Sequence, residues 1–391
     1  MNGVEYLIGG QKVESVPLPV YSEEAIFFLS DLSHVLLHDP VCRAYPDVMS
    51  FAFWCRKGNL QRLQGDCTDK GSRLGRGLAF HVAPSNVPVN FAFSFAFSLL
   101  AGNGNIVRAP SKPFPQVERI CNAIKEILPH HPEVEKRTAF MRYPVNQEIT
   151  KAFCAEADAR LIWGGDETVQ AVRGCPVKPK CVDIVFADRY SLCVLDGNSI
   201  LQADEKTLQK LAEGFYNDTY LMDQNACSSP HLVLWTTGTE TARERFWEAV
   251  AEYAARYDLQ GMTVVDKFTQ MCQDAVDCPE VQKVLRQGGN LLYRAELSSL
   301  PENIGAGLRG RGGYFYEADL NTLEGLCPIV NEKYQTLTYF GVEAEKLQEM
   351  VMKNCLRGID RIVPVGKAMD IGIVWDGYDI IGILSRIIQT A

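Results

Sequence analysis

Leu78-Ala79-Phe80-His81-Val82-Ala83-Pro84-Ser85-Asn86-Val87-Pro88 opens the stretch whose reading decides the fold. Residues 78–82 read as a buried strand that runs into a polar, proline-bearing turn. Pro88 suits the first turn of a helix over 87–100, closed by Gly102. Phe91, Phe93, Phe95 and Phe97 alternate with Ala and Ser, which also fits a strand, but the length and the closing glycine favour helix. Residues 105–108 read as a second strand, and 115–128 put Val117, Ile120, Cys121, Ile124, Ile127 and Leu128 on one helical face. Strand, helix, strand, helix is the α/β pattern.

The pattern extends in both directions. Residues 160–163 form a further strand, and Gly164-Gly165-Asp166 opens a helix over 167–173, a turn that lets backbone approach a cofactor and offers N–H groups to a phosphate. Strands at 182–187 and 192–195 close a doubly wound first domain. Residues 1–76 read as a helical region packed on that domain, with an amphipathic stretch at 23–37. Downstream, Leu208, Leu211, Ala212 and Phe215 mark a helix, followed by the turn Asp223-Gln224-Asn225-Ala226-Cys227-Ser228-Ser229-Pro230 and a strand at 231–235. Helices follow at 240–257 and 264–275. Gly305-x-Gly307-x-x-Gly310 fits a dinucleotide pattern, but Pro301-Glu302-Asn303 precedes it where a strand is required, so it reads as a loop. Near the C-terminus, strand-like runs at 362–364, 371–375 and 380–388 are available to pair with another element or another subunit. The expected domains are 1–195 for cofactor binding, 196–360 for catalysis, and a return or oligomerisation segment at 361–391.

Composition bounds the function. A chain of 391 residues, 47% hydrophobic and 22% charged, is an ordinary globular protein of two domains. The net charge of −9, without a basic run, argues against nucleic-acid or anionic-membrane surfaces. The N-terminus lacks a signal peptide's basic start and apolar core, and the longest apolar stretch, 87–101, is interrupted by Asn90, Ser94 and Ser98 and too short to span a bilayer. Thirteen cysteines in this format imply a reducing compartment, so a cytoplasmic protein is expected. Cys175 and Cys181, like Cys272 and Cys278, are separated by five residues, a spacing that does not suit zinc. No metal is expected.

Cys227 lies where a helix gives way to polar turn residues, a setting in which backbone N–H groups lower a thiol pKa and stabilise an oxyanion. A small buried hydrophobe is the ordinary alternative for any one cysteine. His81 and His231 flank the two motifs, but each reads as a hydrogen-bonded structural residue beside a strand.

Ser85-Asn86-Val87-Pro88, Gly102-Asn103 with Arg108 and Pro110-Ser111, Gly164-Gly165-Asp166, Gln224 to Pro230, and Trp375-Asp376-Gly377, in that order, resemble the acyl-CoA reductase family typified by the fatty-acid reductase of bacterial bioluminescence. That family lies within the aldehyde dehydrogenase superfamily. The resemblance implies an α/β, aldehyde dehydrogenase-like fold: a doubly wound cofactor domain, an α/β catalytic domain and a strand-rich C-terminal segment. It makes Cys227 the nucleophile that carries an acyl thioester, and Asn86 the side-chain donor of the oxyanion hole. Asn86 also suits a helix N-cap. Arg108 falls at the adenosine-ribose position, where an arginine in place of lysine favours NADPH, with NADH the alternative, and Ser111 is a further expected cofactor-binding residue. Gly165 matches the pyrophosphate turn, with Asp166 facing away, and Glu332 the holder of the nicotinamide ribose. At the position of the water-activating glutamate of hydrolytic aldehyde dehydrogenases stands Val185, so the enzyme is expected to hydrolyse its own thioester poorly.

The function implied is NAD(P)H-dependent reduction of an acyl thioester, from acyl-CoA or an acyl-protein, to an aldehyde. The alternatives are a cysteine-dependent acyltransferase or acyl-carrying subunit, and an aldehyde dehydrogenase running in the oxidative direction. An acyl-activating protein partner and a homodimer or higher assembly are expected from the same resemblance.

Overall fold

The strand read at 78–82 is central to a six-stranded sheet of order Glu5–Ile8, Thr138–Arg142, Gly104–Arg108, Leu78–Val82, Ala159–Trp163, Val182–Phe186. All neighbours are parallel except the first pair. The structure, a computed structural model, describes residues 3–67, 69–84, 87–237, 239–302 and 304–390. The chain separates into two units, residues 1–188 with 371–391 and residues 189–370.

In the first unit, successive crossovers run outward from Leu78–Val82 to one edge and then return to its other side. The order therefore reverses at Leu78–Val82, and the carboxyl ends of this strand and its neighbours frame the crevice where doubly wound sheets bind ligands. The helix Asn90–Leu100 is buried from Phe91 onward. Phe95 meets Phe140 edge-on at 5.0 Å, and Phe93 meets Phe51 at 5.0 Å, so the alternating phenylalanines fill a core on all sides of a helix. His81 is buried between Ser94 Oγ at 2.8 Å and Asn105 Oδ1 at 3.1 Å, and burial pulls its imidazole down to about 3. It is a neutral structural residue. The N-terminal helices Glu23–His38, Pro46–Trp54 and Lys57–Asp66 belong to this unit.

Three sequence expectations are corrected. The strand at 192–195, Tyr190–Asp196 in the structure, is hydrogen-bonded to Pro230–Thr237 and Tyr334–Phe340 in the other sheet and does not close the first. Residues 380–388 are not one strand: Ile380–Leu384 is helical, started by Asp379 Oδ1 accepting the Gly382 N–H at 2.9 Å, and only Ser385–Ile387 extends, against Arg73–Gly75. Of 371–375 only Val374–Trp375 is a strand. A short apolar run does not distinguish buried helix from strand; a capping aspartate does.

The second unit holds a seven-stranded sheet of order Val281–Gln287, Leu292–Leu297, Tyr314–Asp319, Pro230–Thr237, Tyr190–Asp196, Tyr334–Phe340, Arg361–Pro364. Only the first pair is antiparallel. At its centre, Glu317 has no exposed side-chain surface. Its Oε1 accepts from Arg294 Nε at 2.8 Å, and its Oε2 from the indole nitrogens of Trp235 at 3.0 Å and Trp247 at 2.9 Å. One carboxylate thus ties three adjacent strands to the helix Glu240–Ala254. Breaking a buried pair leaves the other charge uncompensated, so Glu317→Leu should cost about 3–5 kcal/mol in urea unfolding. Adding Arg294→Met should recover part of that loss; equal stability of the single and double variants would show that the pair is not what holds these strands.

Candidate active site

The helix Glu205–Thr219 runs into a one-turn 3-10 segment, Tyr220–Met222, and the chain then turns through two left-handed residues, Asp223 at φ 52° and Gln224 at φ 59°. Such backbone is costly for residues with a Cβ and persists only where surrounding bonds enforce it. Gln224 supplies them. Its buried side chain donates to the carbonyls of Pro230 and Tyr314, each at 3.1 Å, and accepts the Gly313 N–H at 3.1 Å. The loop that follows carries half-buried Cys227 to the head of the strand Pro230–Thr237.

Two further bonds fix the cysteine. Ser191 Oγ donates to the Cys227 carbonyl at 2.6 Å and accepts the Thr336 N–H at 3.1 Å. Gln335 Nε2 donates to Cys227 Sγ at 3.3 Å. Arg361, register partner of Thr336, also senses the cysteine: burial lowers the guanidinium pKa, while Asp370, Asp218 and Cys227 oppose it electrostatically. The same guanidinium donates to the carbonyls of Lys367 at 2.8 Å and Ala368 at 2.6 Å. Asp218 takes the amide side of that loop, accepting from Gly366 N at 2.6 Å and Ala368 N at 2.9 Å. Met369, at its end, receives the Ser228 hydroxyl at 3.6 Å. His231 is engaged structurally, with Nδ1 2.9 Å from the Gly310 carbonyl and its ring stacked on Tyr190.

The expected cofactor residues of the first unit gather at the carboxyl ends of its strands. Arg108 ends its strand with the guanidinium 4.6 Å over the Tyr143 ring, and its buried Nε makes no hydrogen bond among the described residues. Arg142 ends the neighbouring strand, bonds the Pro110 carbonyl through Nε at 3.2 Å and likewise has an unspent buried donor, Nη2. Exposed Ser111 follows in the loop between them. Gly165 caps the helix Asp166–Arg173 at φ −67°, a conformation open to any residue, and an added Cβ would meet nothing within 4 Å. Nothing in the chain itself demands glycine there, and the bare turn leaves a helix N-terminus uncovered. Unspent guanidinium donors and such a turn, at the same edge of one sheet, fit an anionic dinucleotide. Asp166 is exposed in the first helical turn, where an acid suits the helix dipole.

Three further expected residues complete the set. Glu332 is exposed on the loop before Tyr334–Phe340, 3.9 Å from Arg357. Asn86 lies outside the described residues. Val185 sits on the strand Val182–Phe186, whose carboxylate, Asp183, is gripped by Arg160 at 2.7 Å through both oxygens. Ser191, Gln335, Arg361, Asp218 and Arg142 were not singled out by sequence. Each reads there as an ordinary strand or helix position; strand pairing brings Ser191, Gln335 and Arg361 toward the cysteine and sets Arg142 beside Arg108, while Asp218 holds the neighbouring loop from the helix Glu205–Thr219. Among the described residues no cluster of metal ligands occurs, and no helix is long and apolar enough to cross a membrane.

The architecture is that of the aldehyde dehydrogenases. It is similar to a mutant of 1-pyrroline-5-carboxylate dehydrogenase of Thermus thermophilus, with a TM-score of 0.63 at 13% identity over 94% of this chain and 81% of that one. It is also similar to aldehyde dehydrogenase 21 of Physcomitrella patens, with a TM-score of 0.58 at 10% identity over 87% and 77%. Against proline utilization A of Bdellovibrio bacteriovorus the TM-score is 0.60 at 15% identity, but 94% of this chain covers only 43% of that longer one. In sequence, the family model described as acyl-CoA reductase (LuxC) matches residues 64–270, just over half of the chain, and the chain belongs to that family. No curated protein matches it in sequence. It is thus an enzyme of the acyl-reductase kind, and the family implies a nicotinamide cofactor.

Asp218 gives the cysteine's surroundings a pH signature. Burial, outweighing the two N–H bonds and Arg361, pushes its carboxyl from the ordinary 3.8 up to about 7. A folded pKa above the unfolded one favours folding fully below about pH 4 and loses that contribution as pH rises through 7. The stability of the wild type minus that of Asp218→Asn should therefore fall by about 4 kcal/mol between pH 4 and pH 8 in urea melts. A pH-independent difference would contradict the burial argument.

Proposed function

We propose that the protein reduces an acyl thioester to an aldehyde through an acyl group carried on Cys227. The observation that carries this reading is a half-buried cysteine on a rigid turn, its sulfur receiving an amide N–H at 3.3 Å, in a chain of the acyl-CoA reductase family. The Cys227 thiolate attacks the thioester carbonyl, the new C–S bond forms, and the donor thiol leaves with its electron pair and takes up a proton. Asn86 donates its side-chain amide to the oxyanion. When bound, reduced nicotinamide supplies the hydride that turns an acyl-cysteine into an aldehyde, and Cys227 departs as thiolate. Water is a poor competitor because Val185 stands at the position where hydrolytic aldehyde dehydrogenases carry their water-activating glutamate.

Arg108 supports NADPH over NADH, because its unspent guanidinium donor suits a 2′-phosphate, with Arg142 beside it on the next strand. Ser111 and Gly165 complete the adenosine and pyrophosphate side, and Glu332 takes the nicotinamide ribose. The acyl donor is a CoA thioester or an acyl-protein presented by an activating partner, and the enzyme acts as a homodimer or larger assembly.

Intact-mass analysis after mixing with a panel of acyl-CoAs should show one acyl adduct that survives in buffer and disappears, with aldehyde release, on adding NADPH. Cys227→Ala should abolish the adduct while retaining cofactor binding; reductase activity in that variant would sink the assignment. Asn86→Ala should slow turnover about 10²–10³-fold, and an unchanged rate would remove it from the oxyanion hole. Arg108→Ala should raise KM for NADPH about ten- to a hundredfold and leave that for NADH nearly unchanged. Equal effects on both would place Arg108 away from the 2′-phosphate.

A further inference from the structure

The strands Tyr190–Asp196 and Tyr334–Phe340 are parallel neighbours, but their register slips once. Tyr334 pairs with Tyr190 and Leu337 with Leu192, so Gln335 and Thr336 together oppose Ser191 alone. This is a bulge, the device by which a strand re-aims one side chain. Here it aims at the cysteine. Thr336 spends its backbone N–H on the Ser191 hydroxyl, which holds the Cys227 carbonyl, and its own hydroxyl donates to Gln335 Oε1 at 3.2 Å. With that oxygen taken, the amide presents Nε2 to Cys227 Sγ at 3.3 Å. Gln335 is almost wholly buried, at 1% exposure, where an aliphatic side chain would satisfy packing.

We propose that Gln335 is a catalytic residue: its side-chain amide, oriented by Thr336, donates a hydrogen bond to the Cys227 thiolate when the thiolate attacks and again when it is expelled. This rests on Cys227 being the acyl-carrying nucleophile. An N–H donor favours the charged over the neutral thiol, and the bond strengthens as charge returns to sulfur in the collapse to aldehyde. An amide suits this role better than an imidazole because it donates without titrating and cannot deprotonate a water to hydrolyse the acyl-cysteine. Arg361, which also senses the Cys227 charge, acts in the same direction from the neighbouring strand.

The test is the pH profile of Cys227 alkylation by iodoacetamide in the full-length protein, followed on the Cys227 peptide by mass spectrometry for wild type, Gln335→Leu, Gln335→Glu and Thr336→Val. Gln335→Leu should raise the apparent pKa of alkylation by about one to two and slow alkylation at pH 7 about 10–100-fold, with the high-pH plateau unchanged. Gln335→Glu, which keeps the length and can still accept from Thr336, should raise it further, and Thr336→Val by less. Should Gln335→Leu fail to fold, Gln335→Glu carries the test. A merely structural Gln335 would lower Tm and leave the pH profile where the wild type has it; that result overturns the proposal. Alkylation needs no acyl donor, so a shifted profile in a protein that never forms an acyl adduct refutes the reductase reading and with it the catalytic role of Gln335, leaving only its hold on the thiolate. An unshifted profile with normal acylation refutes only the role of Gln335.

Discussion

The constraint on which the cysteine's surroundings depend is the left-handed pair Asp223 and Gln224, held in place by the Gln224 side chain. Two such residues carry a strain of roughly 1–3 kcal/mol each, and three buried hydrogen bonds from one amide are of the size that offsets it. Those bonds join the heads of two adjacent parallel strands, Pro230–Thr237 and Tyr314–Asp319, so the turn is as rigid as the sheet. Cys227 inherits that rigidity. A side chain fixed this way need not be ordered when it engages a ligand.

Buried polar groups in the second unit divide into two kinds. Glu317 is closed in on itself: every partner is another buried group, and its effect is confined to locking strands to a helix. Ser191, Gln335, Thr336 and Asp218 also engage buried partners, but their bonds end at the cysteine or at the loop beside it. The first kind specifies the fold and the second reaches the cysteine or the loop beside it, at similar desolvation cost.

The first unit applies the same logic in reverse. His81, Asn105 and Ser94 are fully paired within the core, whereas Arg108 and Arg142, at the open ends of their strands, retain donors that no described side chain uses. A polar group left unspent at the carboxyl edge of a doubly wound sheet is where such folds receive their ligands. Gly165, whose missing side chain serves no packing need, opens the helix Asp166–Arg173 in the same unit.

The strand at 78–82, the helix that ends at Leu100 (though it starts at Asn90, after Pro88), the strand ending at Arg108, the Gly164-Gly165 turn and the placement of Cys227 between helix and strand were legible because they are local: hydrophobic period and glycine act within a few positions. That local order also carried the family resemblance. The sheet to which Tyr190–Asp196 belongs was not legible, since a buried parallel strand reads the same in either sheet and only non-local pairing decides. Nor was Gln335: its meaning comes from a one-residue slip against Ser191 and from a cysteine 108 positions away, both set by how distant strands pack. The sequence by itself marked most of the elements and singled out Cys227 as the candidate nucleophile; tertiary structure decided which polar side chains reach it, because register and strand order are properties of the whole sheet.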